Sequence, residues 1–135
     1  MKLIVLTGLP DTGKTDTFEK IRKKLSVYET PTIIEQLGSD PRDLLCIFPT
    51  LKVGLYPMGD YISLTRKAIS WGLKNELNVL VYAYSQSFEA FIQAYKSFPN
   101  IDIEIQHKTM TVNSDKFNEV NEIDALRILL KINYK

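Results

Sequence analysis

Residues 8–15 carry the residue types and the spacing that are best suited to chemistry. They read Gly-Leu-Pro-Asp-Thr-Gly-Lys-Thr and match the phosphate-binding pattern G-x-x-x-x-G-K-[ST] at every required position. In this pattern the glycines let successive backbone N–H groups point at phosphate oxygens, and the N-terminus of the following helix adds its positive dipole end. We expect Lys14 to contact the outer phosphates and the Thr15 hydroxyl to coordinate magnesium. The residues expected around the phosphates are Gly8, Leu9, Pro10, Asp11, Thr12, Gly13, Lys14, Thr15 and Asp16.

The segments on either side of this loop have the patterns that the motif requires. Residues 2–7 form a short apolar run, which predicts a buried strand. From Lys14 onward, Phe18, Ile21 and Leu25 recur at three- and four-residue steps while charged residues fill the opposite face. The sequence therefore predicts a strand, a glycine-bounded loop and an amphipathic helix, in that order.

Strand-like and helix-like segments alternate through the rest of the chain. The patterns predict strands at 32–37, 44–48, 53–58, 79–84 and 101–106, and helices at 60–76, 85–99 and 116–131. The short connection at 49–52 favours an antiparallel hairpin between the strands on either side of it. The alternation predicts a single three-layer α/β domain over residues 1–135, with a mostly parallel sheet.

Two further expectations concern burial. In the last predicted helix, apolar residues fall on one stripe that we expect to be the buried face: Val120, Ile123, Leu126 and Leu130. At 101–106, isoleucines alternate with polar residues, which predicts a half-exposed or edge strand.

The motif with its flanking strand and helix resembles the P-loop NTPase superfamily. Residues 1–26 carry the specific match, and the remaining pattern agrees in outline. The loop is similar to those of small kinases that act on nucleotides and metabolites, although such loops usually have glycine where this chain has Asp11 and often a hydroxyl residue where it has Asp16. The resemblance implies binding of a nucleoside triphosphate, ATP or GTP, together with magnesium.

The superfamily also places an acidic residue at the end of a neighbouring strand, where it holds the metal ion. The most hydrophobic predicted strand, 79–84, is followed by Ser-Gln and no carboxylate. Asp60 follows the apolar run 53–58 and is the candidate for a metal-side and catalytic acid; the alternative is a cap for the next helix. Glu35, near the end of the second strand, is the candidate for a substrate-side base, and its alternative is an exposed strand glutamate.

Phosphoryl transfer also needs positive charge around the transferred group. Arg42 and Arg66 are the arginines that we expect to be able to reach the site, and each has the alternative of a solvated surface position. His107 and Lys108 follow the last predicted strand, at the edge where open α/β sheets bind ligands.

Composition narrows the classes of partner and of cellular compartment that the sequence allows. The chain has 17 Lys and Arg against 16 Asp and Glu, and this balance gives no expectation of nucleic-acid binding. The lone Cys46 excludes an intramolecular disulfide and indicates a buried thiol in a reducing compartment. No apolar stretch approaches the roughly 18–20 residues of a membrane span. We therefore expect a cytoplasmic protein without a membrane partner.

The sequence leaves functions of different classes open. One is a magnesium-dependent, kinase-like phosphotransferase or slow NTPase in which Lys14 is catalytic. Another is a regulatory or assembly module that uses the nucleotide as a switch and depends on a partner for catalysis. A third is a loop that holds only phosphate or sulfate while the domain acts through protein contacts. The guanine-reading pattern N-K-x-D is absent, which favours ATP over GTP.

Overall fold

The computed structural model describes residues 1–8, 13–59, 62–85, 98 and 100–133. The strands are β1 (Lys2–Thr7), β2 (Thr32–Gln36), β3 (Leu44–Phe48), β4 (Val53–Tyr56), β5 (Val79–Tyr84) and β6 (Asp102–His107). The α-helices among the described residues are α1 (Lys14–Leu25), α2 (Ile62–Lys74) and α3 (Phe117–Asn133), and a 3-10 turn at Ser114–Lys116 precedes α3. None of these helices combines the length and the apolar character that crossing a lipid bilayer requires.

The strands form one mixed, mostly parallel sheet in the order β2-β3-β4-β5-β1-β6. β1 lies between β5 and β6 and is parallel to both, and β4 is parallel to β5. β3 is antiparallel to both of its neighbours, β2 and β4. The beginning of β3 therefore lies at the same edge of the sheet as the ends of β1, β4 and β5.

Helices pack on both faces of the sheet, as the three-layer prediction requires. On one face, α1 and α3 bury an apolar cluster whose helical members are Phe18, Ile21, Leu25, Ala125, Ile128 and Ile132. On the other face, α2 contributes Ala68 and Ile69. Successive residues of β1 alternate between these two clusters, because side chains of a strand point to opposite faces. β1 is therefore buried on both sides, and this explains its continuous apolar sequence.

The predicted elements are largely confirmed. The hairpin is present as β3 and β4, and the strands at 2–7, 44–48 and 79–84 have the predicted bounds. β4 ends at Tyr56, two residues early, because Pro57 has no N–H to donate to a neighbouring strand. The helix predicted at 85–99 falls almost wholly outside the described residues.

The buried face predicted for the last helix is wrong. Ile123, Leu126 and Leu130 are 38%, 47% and 62% exposed, whereas Ile128 and Asp124 are fully buried. Periodicity could not select the face because α3 carries apolar side chains on both sides. On the face of α3 that packs inward, Asp124 forms a buried ion pair with Lys108, which follows β6. The two charged atoms are 2.8 Å apart.

The two edge strands differ in exposure. β6 is an edge strand with partly buried isoleucines, which confirms the prediction of a half-exposed edge. All five residues of β2 are exposed. The pairing of β2 with β3 shifts register between Ile33 and Glu35.

Candidate functional site

The described ends of the glycine-rich loop lie where the motif predicts. The N–H of Gly8, just after β1, donates to the carbonyl of Tyr84 at the end of β5, at 3.4 Å. Gly13 precedes α1 in the left-handed conformation, with φ of 91°, and its carbonyl accepts from both the N–H and the hydroxyl of Thr17. The loop is thus tied to the sheet at one end and to the first turn of α1 at the other. The predictions for Leu9, Pro10, Asp11 and Thr12 lie outside the described residues.

Gly13 is required by sterics as well as by its backbone angles. A Cβ at this position would lie 2.5 Å from Oδ1 of Asn121 on α3. The Asn121 amide also donates a 2.9 Å hydrogen bond to the Asp16 carboxylate. α3 therefore contacts the start of α1 directly, and a larger residue at position 13 would displace that contact.

A polar pocket of about 380 Å³ lies against the N-terminus of α1. It is at the edge of the sheet where β1, β4 and β5 end and β3 begins. The described residues that line it are Gly13, Lys14, Thr15, Asp16, Asp40, Arg42, Asp43, Pro57, Met58, Gly59, Ala83 and Ser85. The structure therefore brings Gly13, Lys14, Thr15 and Asp16 of the predicted set to one concave surface.

Lys14 connects the two ends of the loop. Its ammonium donates a 2.8 Å hydrogen bond to the carbonyl of Gly8, six positions earlier in the chain. This contact holds a positive charge beside the loop and beside the N-terminal end of α1. An anion that bound there would meet both the ammonium and the helix dipole.

Thr15 is bound to an acid that the sequence analysis did not identify. The Thr15 hydroxyl donates a 2.8 Å hydrogen bond to Oδ1 of Asp43, which is only 6% exposed. Asp43 immediately precedes β3. The superfamily pattern points to acids that follow parallel strands, but in an antiparallel strand the residue before the strand lies at that same edge. The predicted hairpin contained this signal, because it already implied that the strand at 44–48 or its neighbour runs in the opposite direction.

The structure tests only one of the two acids proposed from sequence, Asp60 and Glu35. Asp60 lies outside the described residues, although Gly59, which precedes it, lines the pocket. Glu35 is exposed on β2, the strand farthest from β1 on that side of the sheet, and it does not line the pocket. Burial, and to a smaller degree the charge of Glu35, raises the pKa of Tyr56. The structure therefore does not bring Glu35 to Lys14 and Thr15.

Arg42 reaches the pocket and is held by carboxylates. Its Nε and Nη2 donate to the two oxygens of Asp40 at 3.1 and 2.9 Å. Nη1 lies 3.6 Å from the Asp16 carboxylate. The hydrogen bond from Arg42 lowers the pKa of Asp40, so the pair stays ionised at neutral pH. Small-kinase loops often have a hydroxyl residue at the position of Asp16. Here the negative charge of Asp16 is balanced by the nearby Arg42 guanidinium and stabilised by the hydrogen bond from the Asn121 amide.

The remaining predicted cations do not line the pocket. Arg66 is exposed on α2, and His107 is exposed at the end of β6. Lys108 is buried and binds Asp124, whose carboxylate also accepts hydrogen bonds from the N–H and the hydroxyl of Thr109. This arrangement gives Lys108 a structural role in fixing the segment after β6 to α3.

A second, smaller cavity of about 220 Å³ shares Gly13 with the pocket. Its other lining residues are Thr109, Met110, Thr111, Phe117, Val120 and Asn121. Met110 and Phe117 are 60% and 50% exposed, so both offer apolar surface beside this cavity. Exposed apolar side chains around a cavity are typical of ligand-binding sites.

Among the described residues there is no group of three or more histidine, cysteine or acidic side chains arranged to hold a metal ion. A divalent cation bound at Thr15 and Asp43 would therefore need further oxygen ligands from a substrate or from water. No protein-family model matches the chain, and no curated protein or solved structure matches it significantly.

Proposed function

We propose that the protein is a P-loop protein that binds a magnesium-nucleoside triphosphate, ATP in preference to GTP, and transfers the terminal phosphoryl group to a small acceptor or hydrolyses it slowly. The observation that carries this proposal is the hydrogen bond between Thr15 and Asp43, next to Lys14, at the N-terminus of a helix. These groups meet at one pocket, and each has the chemical character that its role needs.

The phosphates would lie against the first backbone N–H groups of α1. Lys14 would exchange the Gly8 carbonyl for a phosphate oxygen, because an ammonium binds an anion more strongly than a neutral carbonyl. The Thr15 hydroxyl and the Asp43 carboxylate are hard oxygen donors of the kind that magnesium prefers, and their present hydrogen bond already brings them together. Magnesium would supply charge neutralisation for the phosphates.

The smaller cavity supports a nucleotide over a simple phosphate. It shares Gly13 with the polar pocket and offers the apolar surfaces of Met110, Phe117 and Val120. A base placed there would bury part of these exposed side chains, while its phosphates reached the polar pocket. Binding of ATP that is much tighter than binding of inorganic triphosphate would support this assignment.

The substitution of Lys14 by alanine tests the proposal. We expect the affinity for a magnesium-bound, non-hydrolysable ATP analogue, measured by titration calorimetry, to fall at least about tenfold, because a charged hydrogen bond to phosphate is lost. Lys67→Ala is the matched control, since Lys67 is exposed on α2 and does not line the pocket. An unchanged affinity in a folded Lys14→Ala variant would overturn the proposal.

A second experiment separates transfer from hydrolysis. The purified protein is incubated with magnesium and γ-labelled ATP, alone and with a panel of nucleosides, nucleotides and sugar-like metabolites. Transfer of the label to one of these compounds supports a phosphotransferase, and release of free phosphate in their absence supports a slow NTPase. Tight nucleotide binding with neither reaction would favour the regulatory module.

A further inference from the structure

We infer that the acceptor of the phosphoryl group enters this pocket without a negatively charged group, and that Asp40 enforces this selection by holding Arg42. The inference rests on the proposed nucleotide binding and names the class of second substrate. We assign the acceptor to the lining residues that the nucleotide's phosphates and magnesium would leave open, and we call them the acceptor end of the pocket: Asp40, Arg42, Pro57, Met58, Ala83 and Ser85. Water and uncharged alcohols belong to this class, whereas phosphorylated or carboxylated compounds do not.

The charges of the described lining residues oppose a second anion. The cations are Lys14 and Arg42, and the acids are Asp16, Asp40 and Asp43. Lys14 lies at the loop, where the nucleotide's phosphates would bind it. Arg42 is therefore the described cation that would have to receive an anionic acceptor.

Arg42 is already engaged by two carboxylates. Asp40 contacts its Nε and Nη2 and also accepts a 2.9 Å hydrogen bond from its backbone N–H. The two residues are only two positions apart, so the same short turn brings both groups together, and the planar guanidinium loses less side-chain entropy per hydrogen bond than a lysine would. An anionic acceptor would have to compete with Asp40 for the guanidinium and would remain close to the Asp40 carboxylate.

Among the described residues, the side chains that bring a positive charge to the lining of the pocket are those of Lys14 and Arg42. The other lining side chains of the acceptor end are small or apolar: Pro57, Met58 and Ala83, with the Ser85 hydroxyl at the end of β5. Such a surface suits a compact, uncharged body that presents one hydroxyl.

The transfer step balances with an uncharged acceptor. The acceptor oxygen forms a bond to the terminal phosphorus while the bond from that phosphorus to the bridging oxygen breaks. The nucleoside diphosphate leaves with the bonding electron pair, and the acceptor's proton passes to solvent water. With water as the acceptor, the same step is hydrolysis.

The test uses inorganic phosphate as the probe for a second anion. The protein is first saturated with magnesium and a non-hydrolysable ATP analogue, and phosphate is then titrated into this complex by calorimetry. We expect measurable phosphate binding in Asp40→Asn, at least about tenfold tighter than any binding to the natural protein, because Arg42 then keeps only the longer contact to Asp16. The double variant Asp40→Asn with Arg42→Ala should lose this gain. Asp115→Asn, which removes an exposed carboxylate away from the pocket, is the control for net charge.

The outcomes separate the inference from the function on which it rests. Failure of the natural protein to bind the ATP analogue in the first step overturns the proposed function, and the inference with it. If the analogue binds, phosphate binding to the natural protein as tight as to Asp40→Asn overturns the inference alone. Absence of any gain in Asp40→Asn, or an equal gain in Asp115→Asn, also overturns it.

Discussion

The hydroxyl of Thr15 and the carboxylate of Asp43, 28 positions apart in the chain, are joined by a 2.8 Å hydrogen bond at the edge of the sheet. One residue belongs to the first turn of α1, and the other precedes an antiparallel strand. The contact depends on the direction of β3, because a parallel strand at that place would carry Asp43 to the opposite edge. The reversal of one strand thus completes a pair of oxygen donors suited to a divalent cation.

The first prediction compares the acid found in the structure with the one proposed from sequence. We expect Asp43→Asn to weaken magnesium-dependent binding of an ATP analogue at least about tenfold, because a carboxylate holds the cation far better than an amide. Binding without magnesium should fall less, or rise, since a negative charge beside the phosphates is removed. Asp60→Asn, measured by the same titrations, should retain its magnesium dependence. A larger loss in Asp60→Asn would return the metal-side role to Asp60.

The second prediction concerns Gly13. Gly13→Ala should lower the free energy of unfolding by about 2 kcal/mol or more, because alanine is strained at a φ of 91° and its Cβ meets Asn121. Gly38→Ala is the matched control, since its Cβ would approach closely only the flexible end of Met58 and would meet Asp43 at an ordinary contact distance of 3.5 Å. We expect a change within about 1 kcal/mol. Urea unfolding followed by circular dichroism measures both. Equal effects would mean that Gly13 is not constrained as described.

The third prediction tests which face of α3 is buried. Ile128→Ala should cost about 2–4 kcal/mol of unfolding free energy, because Ile128 is fully buried in the cluster shared with α1. Leu130→Ala, on the same helix, should change stability by no more than about 0.5 kcal/mol, since Leu130 is 62% exposed. Urea unfolding ranks the two variants directly. The opposite ranking would restore the face expected from sequence.

The fourth prediction concerns stability at alkaline pH. Burial raises the pKa of the Cys46 thiol from an ordinary value of 9.0 to about 11. Between these values the unfolded chain releases the thiol proton and the folded chain keeps it, so stability falls as pH rises. The loss approaches about 1.4 kcal/mol per pH unit for this group.

Other groups titrate in the same pH range, and the variant Cys46→Ala separates the contribution of the thiol from theirs. Tyr56 and Tyr84 also have pKa values raised by burial from an ordinary value of 10.0, so both proteins lose stability above about pH 10. We expect the loss to be shallower in Cys46→Ala, as measured by urea unfolding at several pH values. Parallel losses in the two proteins would contradict a contribution from Cys46.

The elements that were predicted most accurately are those whose structure depends on residues close together in the sequence. The strand before Gly8 and the helix after Gly13 depend on a continuous apolar run and on a three- and four-residue spacing, and both signals lie within a few residues. The hairpin of β3 and β4 was predictable for the same reason, because a short connection limits the directions of its strands.

The sequence predicted less where contacts between distant segments decide the outcome. Asp43 was missed because its place depends on the order and direction of strands, which no local pattern contains. The face of α3 was chosen wrongly because Asp124 is buried, against its usual preference, by pairing with Lys108 from the segment after β6. A charged residue gives no sign in the sequence that a partner far along the chain will neutralise it.

The register shift in β2 affects how the outer side of the sheet meets other chains. An outermost strand normally offers an even row of N–H and C=O groups on which a further strand can grow. Between Ile33 and Glu35 the hydrogen-bonding register of β2 shifts. A strand added at this edge would therefore keep its hydrogen-bond register with β2 over only a few residues. An irregularity of this kind is one way in which edge strands avoid becoming templates for fibrillar growth, and here it falls at two neighbouring exposed isoleucines.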